Sequence, residues 1–436
     1  MTPLVRAVVG AAVVSAAWVA VDAAGPQTSS TTQAQAPTFR ASTQLVEVDV
    51  RVFDADGRFV DDLTMDDFEV FERDARQPLR GVYFVAPAPG ATERAAPLIS
   101  WRGAPAALAA APPVTAVRQT WIFAFDLNHL PPGGGFDRAR TAVLSFLRDR
   151  FRDGDLGGVL AGGTMVGNRL TSVRAELEAA ITSLKTNPDS RTRAIELTRE
   201  FPRILDDSEA LAIASGNSDA LQRATVRACA EDAQLCQNAD MMLREKAQRF
   251  RALMQRSSLD SLNTLTALAN GLARVPGPKT VVLLSEGFVT QELEGALRST
   301  VGQTTRAGAR IYAIDVRGLN RGRSADIGDR AAVEDTAGAP ARFDLSLDAP
   351  NSLAVDTGGL FLQHRNNLSD ALTLVERDTS QYYVLAYEPQ GLTLDGSFHA
   401  IDVRVKRPGV KVRARRGYLA LPSSSLLTPA PIKRRP

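Results

Sequence analysis

Between Trp121 and Thr379 the chain alternates short runs of consecutive apolar residues with amphipathic stretches of helical period. That alternation constrains the fold more than any other feature. The runs "WIFAFD" (121–126), "DLGGVLAG" (155–162), "KTVVLLSEG" (279–287), "ARIYAIDV" (309–316) and "GGLFLQ" (358–363) read as strands. Between them, "FDRARTAVLSFLRDRF", "SVRAELEAAITSLK", "QELEGALRSTVGQTTRAG" and "NLSDALTLVERD" read as helices. Strands apolar on both faces need cover on both faces, so the pattern predicts an α/β fold with a doubly wound, mostly parallel sheet. Ligands of such sheets bind at the carboxyl ends of the strands, beside the point where strand order reverses. The first strand delivers one carboxylate, Asp126, to such an end.

The segments on either side have a period of two. In "QLVEVDVRVFDADGRFVDDL" the valines 46, 48, 50 and 52 share one face and Glu47, Asp49 and Arg51 the other, with a turn at Asp56-Gly57. The same behaviour recurs in "DFEVFERDARQPLRGVYFVA" and, far downstream, in "QYYVLAYEP" and "HAIDVRVKRPGVKVRARRGYLA". In the last of these, Pro408-Gly409 is expected to turn a hairpin pairing Val403 and Val405 with Val410 and Val412. With β material at both ends, the α/β domain is expected to be inserted in, or flanked by, a small antiparallel β-sandwich. The expected layout is a signal segment 1–24, a linker 25–40 and the first portion of the sandwich over 41–86. A Pro/Ala linker follows over 87–118, then the α/β domain over 119–379 with a polar helical insertion at 187–245. The second portion of the sandwich spans 380–421, and a basic tail 422–436. Residues 318–351 read as a long irregular loop.

Several classes of function are disfavoured. A net charge of +2 over 436 residues lacks the concentrated positive charge of a nucleic-acid binder. "PPGGGFDRAR" sits where a nucleotide loop would, but lacks both the Lys-Ser/Thr ending and the GxGxxG spacing, so no nucleotide is expected. The three histidines (129, 364, 399) lie far apart, no HExxH or GxSxG occurs, and His129 reads as a loop-surface residue. Ser285 ends a strand but has no base marked by the sequence. The chain is therefore not expected to be an enzyme.

At the start, Arg6 precedes the uncharged run "AVVGAAVVSAAWVAV" and the small residues of "VDAAG", an export signal with cleavage expected after Ala23 and a retained signal anchor as the alternative. A periplasmic or secreted location follows. The two cysteines, Cys229 and Cys236, stand seven apart. A disulfide between them needs a break in the helix, because continuous helix would hold their Cα atoms about 10.5 Å apart. Bridged and free states stay open at this level.

The order of several blocks adds a resemblance. "VEVDVRVFDADGRFVDDLTMDDFEVFERDARQ", "PGPKTVVLLSEGF", "YAIDVRGL" and "RDTSQYYVLAYEP…DGSFHAIDVRVKRPGVKVRARRGY" resemble the acidobacterial-type VWFA-related family, whose members carry a von Willebrand factor type A domain. The resemblance implies a von Willebrand A-like sheet and a site for Mg²⁺ or Ca²⁺ built from an Asp-x-Ser-x-Ser loop, a Thr and an Asp. Carried over, Asp126 matches the first Asp, Asn128 replaces the first Ser and Leu130 the second. Thr171 stands for the Thr, and Glu286 for the Asp. Such a degenerate adhesion-type site would hold Mg²⁺ or Ca²⁺ weakly or not at all, Ca²⁺ tolerating irregular oxygen ligands better. The function expected is an exported, non-catalytic module that binds a protein partner at this site. The alternatives are a metal-dependent hydrolase using the same carboxylates, or an envelope-assembly scaffold docking through the helical insertion. The basic C-terminal hairpin (Lys406, Arg407, Lys411, Arg413, Arg415, Arg416) is either a solvated face or a contact for an anionic envelope surface.

Overall fold

A computed structural model describes residues 45–86, 98–101, 119–130, 132–186, 200–234, 236–288, 292–317, 348–391 and 395–420. The expected signal segment, the linker 25–40 and the tail 422–436 lie outside them, as does most of the long loop, 318–347. None of the described helices is long and apolar enough to cross a membrane.

The amino-terminal strands are β1 (Val46–Phe53), β2 (Phe68–Glu72), β3 (Ala75–Gln77), β4 (Leu79–Ala86) and β5 (Leu98–Trp101). β5 falls inside the stretch expected to be a linker. It pairs antiparallel with β4, Phe84 opposite Ser100, and so extends the sheet by an edge strand.

The α/β domain follows. It begins with β6 (Thr120–Phe125), α1 (Gly134–Asp149), β7 (Leu156–Ala161), β8 (Thr164–Met165) and α2 (Arg174–Thr182). Three helices come next: α3 (Asp207–Ala214), α4 (Ser218–Glu231) and the 37-residue α5 (Cys236–Leu272). The series ends with β9 (Lys279–Ser285), α6 (Glu294–Arg306), β10 (Ala309–Asp315), α7 (Asp348–Asp356), β11 (Phe361–Leu362) and α8 (Leu368–Ser380). The sheet runs β11-β10-β9-β6-β7-β8, all pairs parallel except the short β7–β8 edge. Order reverses between β6 and β9, so this is a doubly wound sheet.

Alternation along the strands loads both faces. Trp121, Phe123 and Phe125 meet α1, α2 and α8 through Phe146, Leu177 and Leu372. Ile122 and Ala124 meet the second half of α5, α6 and α7 through Leu265, Val301 and Leu353. Gly157, which weakens β7 as a strand, is required there: a Cβ on it would lie 2.4 Å from the Leu177 side chain of α2.

The helical insertion is less solvated than its composition suggests. Leu211, Leu221, Leu243, Phe250 and Met254 form a small core of its own between α3, α4 and the first half of α5. Asp206 and Asn217 cap α3 and α4 by accepting from the N–H groups of Glu209 and Ala220. α4 ends at Glu231 and α5 begins at Cys236, and across that break Cys229 and Cys236 are joined, with Cα atoms 4.5 Å apart.

The chain closes with β12 (Tyr382–Tyr387), β13 (Phe398–Val405), β14 (Lys411–Ala414) and β15 (Gly417–Leu419). They interleave with the amino-terminal strands into two antiparallel sheets, β14-β1-β12-β4-β5 and β15-β13-β2-β3. The valines of β1 lie beside Leu385 of β12 in their own sheet and pack with Val70 and Val403 of the other, and Tyr383 lies among Phe59, Phe68 and Phe84. The hairpin expected at Pro408-Gly409 does not form. β13 pairs with β2 and β15 while β14 pairs with β1, so the turn carries the chain from one sheet to the other and each strand finds an existing partner.

The polar face of β1 meets the α/β domain most fully at Arg51. Arg51 is fully buried and bonds Asp378, at the end of α8, 3.0 Å from the carboxylate. Arg413 of β14 and Tyr312 of β10 bind the same carboxylate, the tyrosine at 2.6 Å. Replacing Asp378 with Ala strands the buried Arg51 and leaves the half-buried Arg413 without this carboxylate. Denaturant unfolding is expected to show a loss of about 3–5 kcal/mol. Arg76→Ala, at an exposed pair with Glu69, is expected to change stability by less than about 1 kcal/mol.

Candidate functional site at the carboxyl edge

Asp126 leaves β6 at the switch point and is buried. Its backbone N–H donates to Leu284 of β9, which extends the ladder by one residue and holds the carboxylate against that strand's exit. Its side chain is fully committed. His129 Nδ1 donates to Oδ2 at 2.9 Å, Ser285 Oγ to Oδ2 at 2.9 Å, and Ser261 Oγ to Oδ1 at 2.7 Å. Asn128 Nδ2 donates in turn to Ser261 Oγ at 3.3 Å. Burial opposes the charge on Asp126, but the imidazole and the three hydrogen bonds more than offset it, holding the carboxyl below the usual range.

His129 is not on the loop surface as its sequence context suggests. A turn, with its N–H bonded to the Asp126 carbonyl at 2.9 Å, folds it inward, where it is fully buried and stacks on Phe288 with ring centroids 5.1 Å apart. Its carbonyl accepts from the N–H of Glu286 at 3.1 Å. Leu130, at the position of the second serine in the family pattern, is also fully buried and packs in the core beneath α1.

The other carried-over residues go elsewhere. Glu286 is half-buried at the exit of β9, and its Oε1 sits 3.0 Å from where a Cβ on Gly135 would stand, over the first turn of α1. A carboxylate there complements the positive end of the helix dipole. Thr171 lies at the opposite edge of the sheet. It bridges to Gly157, itself paired with Trp121 at the start of β6, roughly 16 Å of strand from Asp126. The cause is the direction of β8: being antiparallel, it returns the chain to the amino edge before Thr171 is reached.

Mg²⁺ demands near-octahedral oxygen ligation. Of the five positions, Leu130 offers no oxygen and Thr171 lies at the far edge, while His129, Ser261 and Ser285 already aim their hydrogens at the Asp126 carboxylate. A cavity of about 30 Å³ beside Asp126, Asn128, Ser261 and Thr264 has room for a water molecule or so. Among the described residues no three His, Cys, Asp or Glu side chains gather in a metal-binding group. The residues as placed do not fit the ion.

Sequence spacing could not find Ser261, because it sits on α5, 135 residues from Asp126. The local signal was a run of small residues, Ser257, Ser258 and Ser261, which are all buried where α5 passes the sheet edge. Asp315 was also missed. It ends β10 beside Ser285, is buried, and takes Arg317 bidentately at 3.0 and 3.1 Å.

The cluster is thus a buried lock that joins the exits of β6 and β9 to α5. Asp126→Asn is expected to cost about 2–4 kcal/mol, since one amide cannot accept all three donors. Because the folded carboxyl titrates below its unfolded value, its stabilisation is present above about pH 5 and is lost as pH falls through the lowered value. Unfolding curves between pH 7 and pH 3 are therefore expected to fall more steeply for the unsubstituted chain than for the variant.

No protein-family model matches the chain, and no curated protein matches it. Two crystal structures share a distant likeness. One is an aerotolerance-related membrane protein from Bacteroides fragilis NCTC 9343, at 10% identity and TM-score 0.31, covering 60% of this chain and 98% of that one. The other is the conserved hypothetical protein BatB from Bacteroides thetaiotaomicron, at 12% identity and TM-score 0.27, covering 60% and 97%. At these scores neither likeness informs fold or function, and what the chain is rests on its own α/β sheet and the geometry of its edge.

Proposed function

We propose that this chain is an exported, non-catalytic protein-binding module of von Willebrand A-like architecture. Its docking surface would be the carboxyl edge of the six-stranded sheet together with the helical insertion. The strand order, with one short antiparallel edge strand and helices on both faces, supports the von Willebrand A-like reading. Export is supported by the apolar run after Arg6, and the Cys229–Cys236 bond suits an oxidising compartment.

The observation that carries the proposal is the course of α5. Its second half packs on the sheet through Leu262, Leu265 and Leu268, and Ser261 marks the carboxyl edge by its bond to Asp126. The roughly 25 residues before Ser261 therefore rise about 37 Å beyond that edge. They carry α3 and α4 with them as an arm beside the edge. Arg251 and Gln255 tie the arm to Glu292, in the loop leaving β9. The arm exposes Val226, Met241 and Leu253, apolar surface whose burial against a partner would favour binding.

The lock argues for binding rather than chemistry. Both serines spend their hydroxyls on Asp126, and His129 Nε2 is buried without a hydrogen-bond partner among the described residues. A nucleophile needs a free base within reach and access to substrate; His129 Nδ1 stands 3.4 Å from Ser261 Oγ but gives its hydrogen to Asp126, and both serines are buried. Affinity comes from the arm and edge surfaces, with no metal bridge required.

A photo-crosslinking amino acid at Met241, at Thr164 on the carboxyl edge, or at Arg76 on the sandwich tests this in cells that make the full chain. Met241 and Thr164 are expected to capture one common partner, Arg76 none, with the same yield in EDTA. Equal capture at Arg76, or loss in EDTA, overturns the proposal.

A further inference from the structure

The opposite edge of the sheet holds a feature that the proposed docking surface does not use. Where the outer face of the sandwich meets the amino ends of β9 and β10, a cleft of about 490 Å³ opens, within the range of small-molecule sites. One wall is the sandwich: Glu47 and Asp49 of β1, Tyr83 and Val85 of β4, Val384 of β12. The other is Lys279, Arg310 and the backbone around Gly308 and Gly358, with Arg415 at the joint.

The charges in this cleft do not balance. Three cations, Lys279, Arg310 and Arg415, face two carboxylates, Glu47 and Asp49, which leaves one positive charge. Arg310 is only 4% exposed. It gives Nη2 to Asp49 at 2.7 Å and lies over the Tyr382 ring at 4.6 Å, while Nε and Nη1 have no hydrogen-bond partner among the described residues. Lys279 is buried with Nζ bonded to the Ala307 carbonyl at 2.7 Å. Arg415 bonds the carbonyls of Thr305 and Glu47, and its Nε too is unpartnered among the described residues. Open N–H groups on a desolvated guanidinium cost free energy that an anion would recover.

We propose that this cleft binds a small organic carboxylate with an apolar body. Its carboxylate is held by Lys279 and the open N–H groups of Arg310, and its body lies against Tyr83, Val85 and Val384. One negative charge completes the local balance, and the tyrosine and valine side chains offer the apolar contact that inorganic anions cannot use. Burial lowers the affinity of Lys279 for its proton, with Asp49 opposing, and an anion alongside reinforces its charge. The site joins the sandwich to the α/β domain, so an occupant contacts both.

Calorimetric titration of benzoate into the full chain tests this, with benzamide as the neutral control and inorganic phosphate as the anion without a body. Benzoate is expected to bind with a Kd at or below about 1 mM and benzamide not at all. Lys279→Gln is expected to weaken benzoate about tenfold by removing one charge-assisted bond. Val384→Trp fills the cleft with all charges in place and is expected to abolish binding. In the unsubstituted chain, methyl resonances of Val85 and Val384 are expected to shift with benzoate, a readout that needs no variant to fold. No heat with benzoate, equal binding of benzamide, binding of phosphate in place of benzoate, or methyl shifts away from this cleft overturns the proposal.

Discussion

The Asp378 carboxylate holds the molecule together. It closes α8, the last helix of the doubly wound sheet, and one residue after that helix ends the chain enters β12, the middle strand of the sandwich. Arg51 from β1, Arg413 from β14 and Tyr312 from the parallel sheet all converge on it. A buried carboxylate with three donors is stable only if all three arrive. Both β ends are therefore tied to the α/β domain at this point, in addition to the pairs Asp49–Arg310 and Arg416–Asp356. Burial together with Asp378 pushes the Tyr312 hydroxyl well above its ordinary pKa, so it stays protonated and keeps donating. Further along the outer face of β1, Asp49 binds Arg310 and the Glu47 carbonyl accepts from Arg415.

Fixing the sandwich below the sheet leaves the two ends of the parallel strands with different character. The carboxyl edge is closed by the Asp126 lock, in which the hydroxyls of two serines and an imidazole N–H satisfy one carboxylate. Such a network rigidifies because each missing partner would leave a buried charge underpaired. Its rigidity reaches α5 through Ser261, and from there the helical arm. The amino edge is the reverse: cations outnumber carboxylates around a cleft, and guanidinium N–H groups there are buried without partners among the described residues. The basic carboxyl-terminal strands contribute there too. Arg407 pairs with Asp62, Arg413 with Asp378 and Arg416 with Asp356, so much of that charge is paired within the chain, partly at the surface.

Much of the architecture was legible in the chain. Runs such as "KTVVLLS" and "ARIYAID", apolar on both sides, require cover on both faces, and β9 and β10 have it. The valines of β1 marked one sandwich face by alternation alone. Asp126 was found because a strand-ending carboxylate at a switch point is a local feature. The break needed for the disulfide was also readable, since helical rise separates residues seven apart too far to bridge. Strand partners were less legible. Pro408-Gly409 is as good a turn for a sheet crossing as for a hairpin, and only the vacant edge of β1 decides between them.

The sequence by itself determined the layers: which segments are strands or helices, which faces are apolar, and that Asp126 ends the first strand of the parallel sheet. Those properties follow from period and composition, which act over a few residues. The tertiary structure decided what the polar residues do. Thr171 went to the far edge because β8 runs antiparallel, and Ser261 reached Asp126 because α5 crosses the carboxyl edge. His129 turned inward, where Nδ1 binds Asp126 and the ring stacks on Phe288. Arg51 and Arg310 became buried because the sandwich docks on the sheet. Hydrogen bonds and ion pairs act over about 3 Å, so they are settled only after the layers have brought distant segments together.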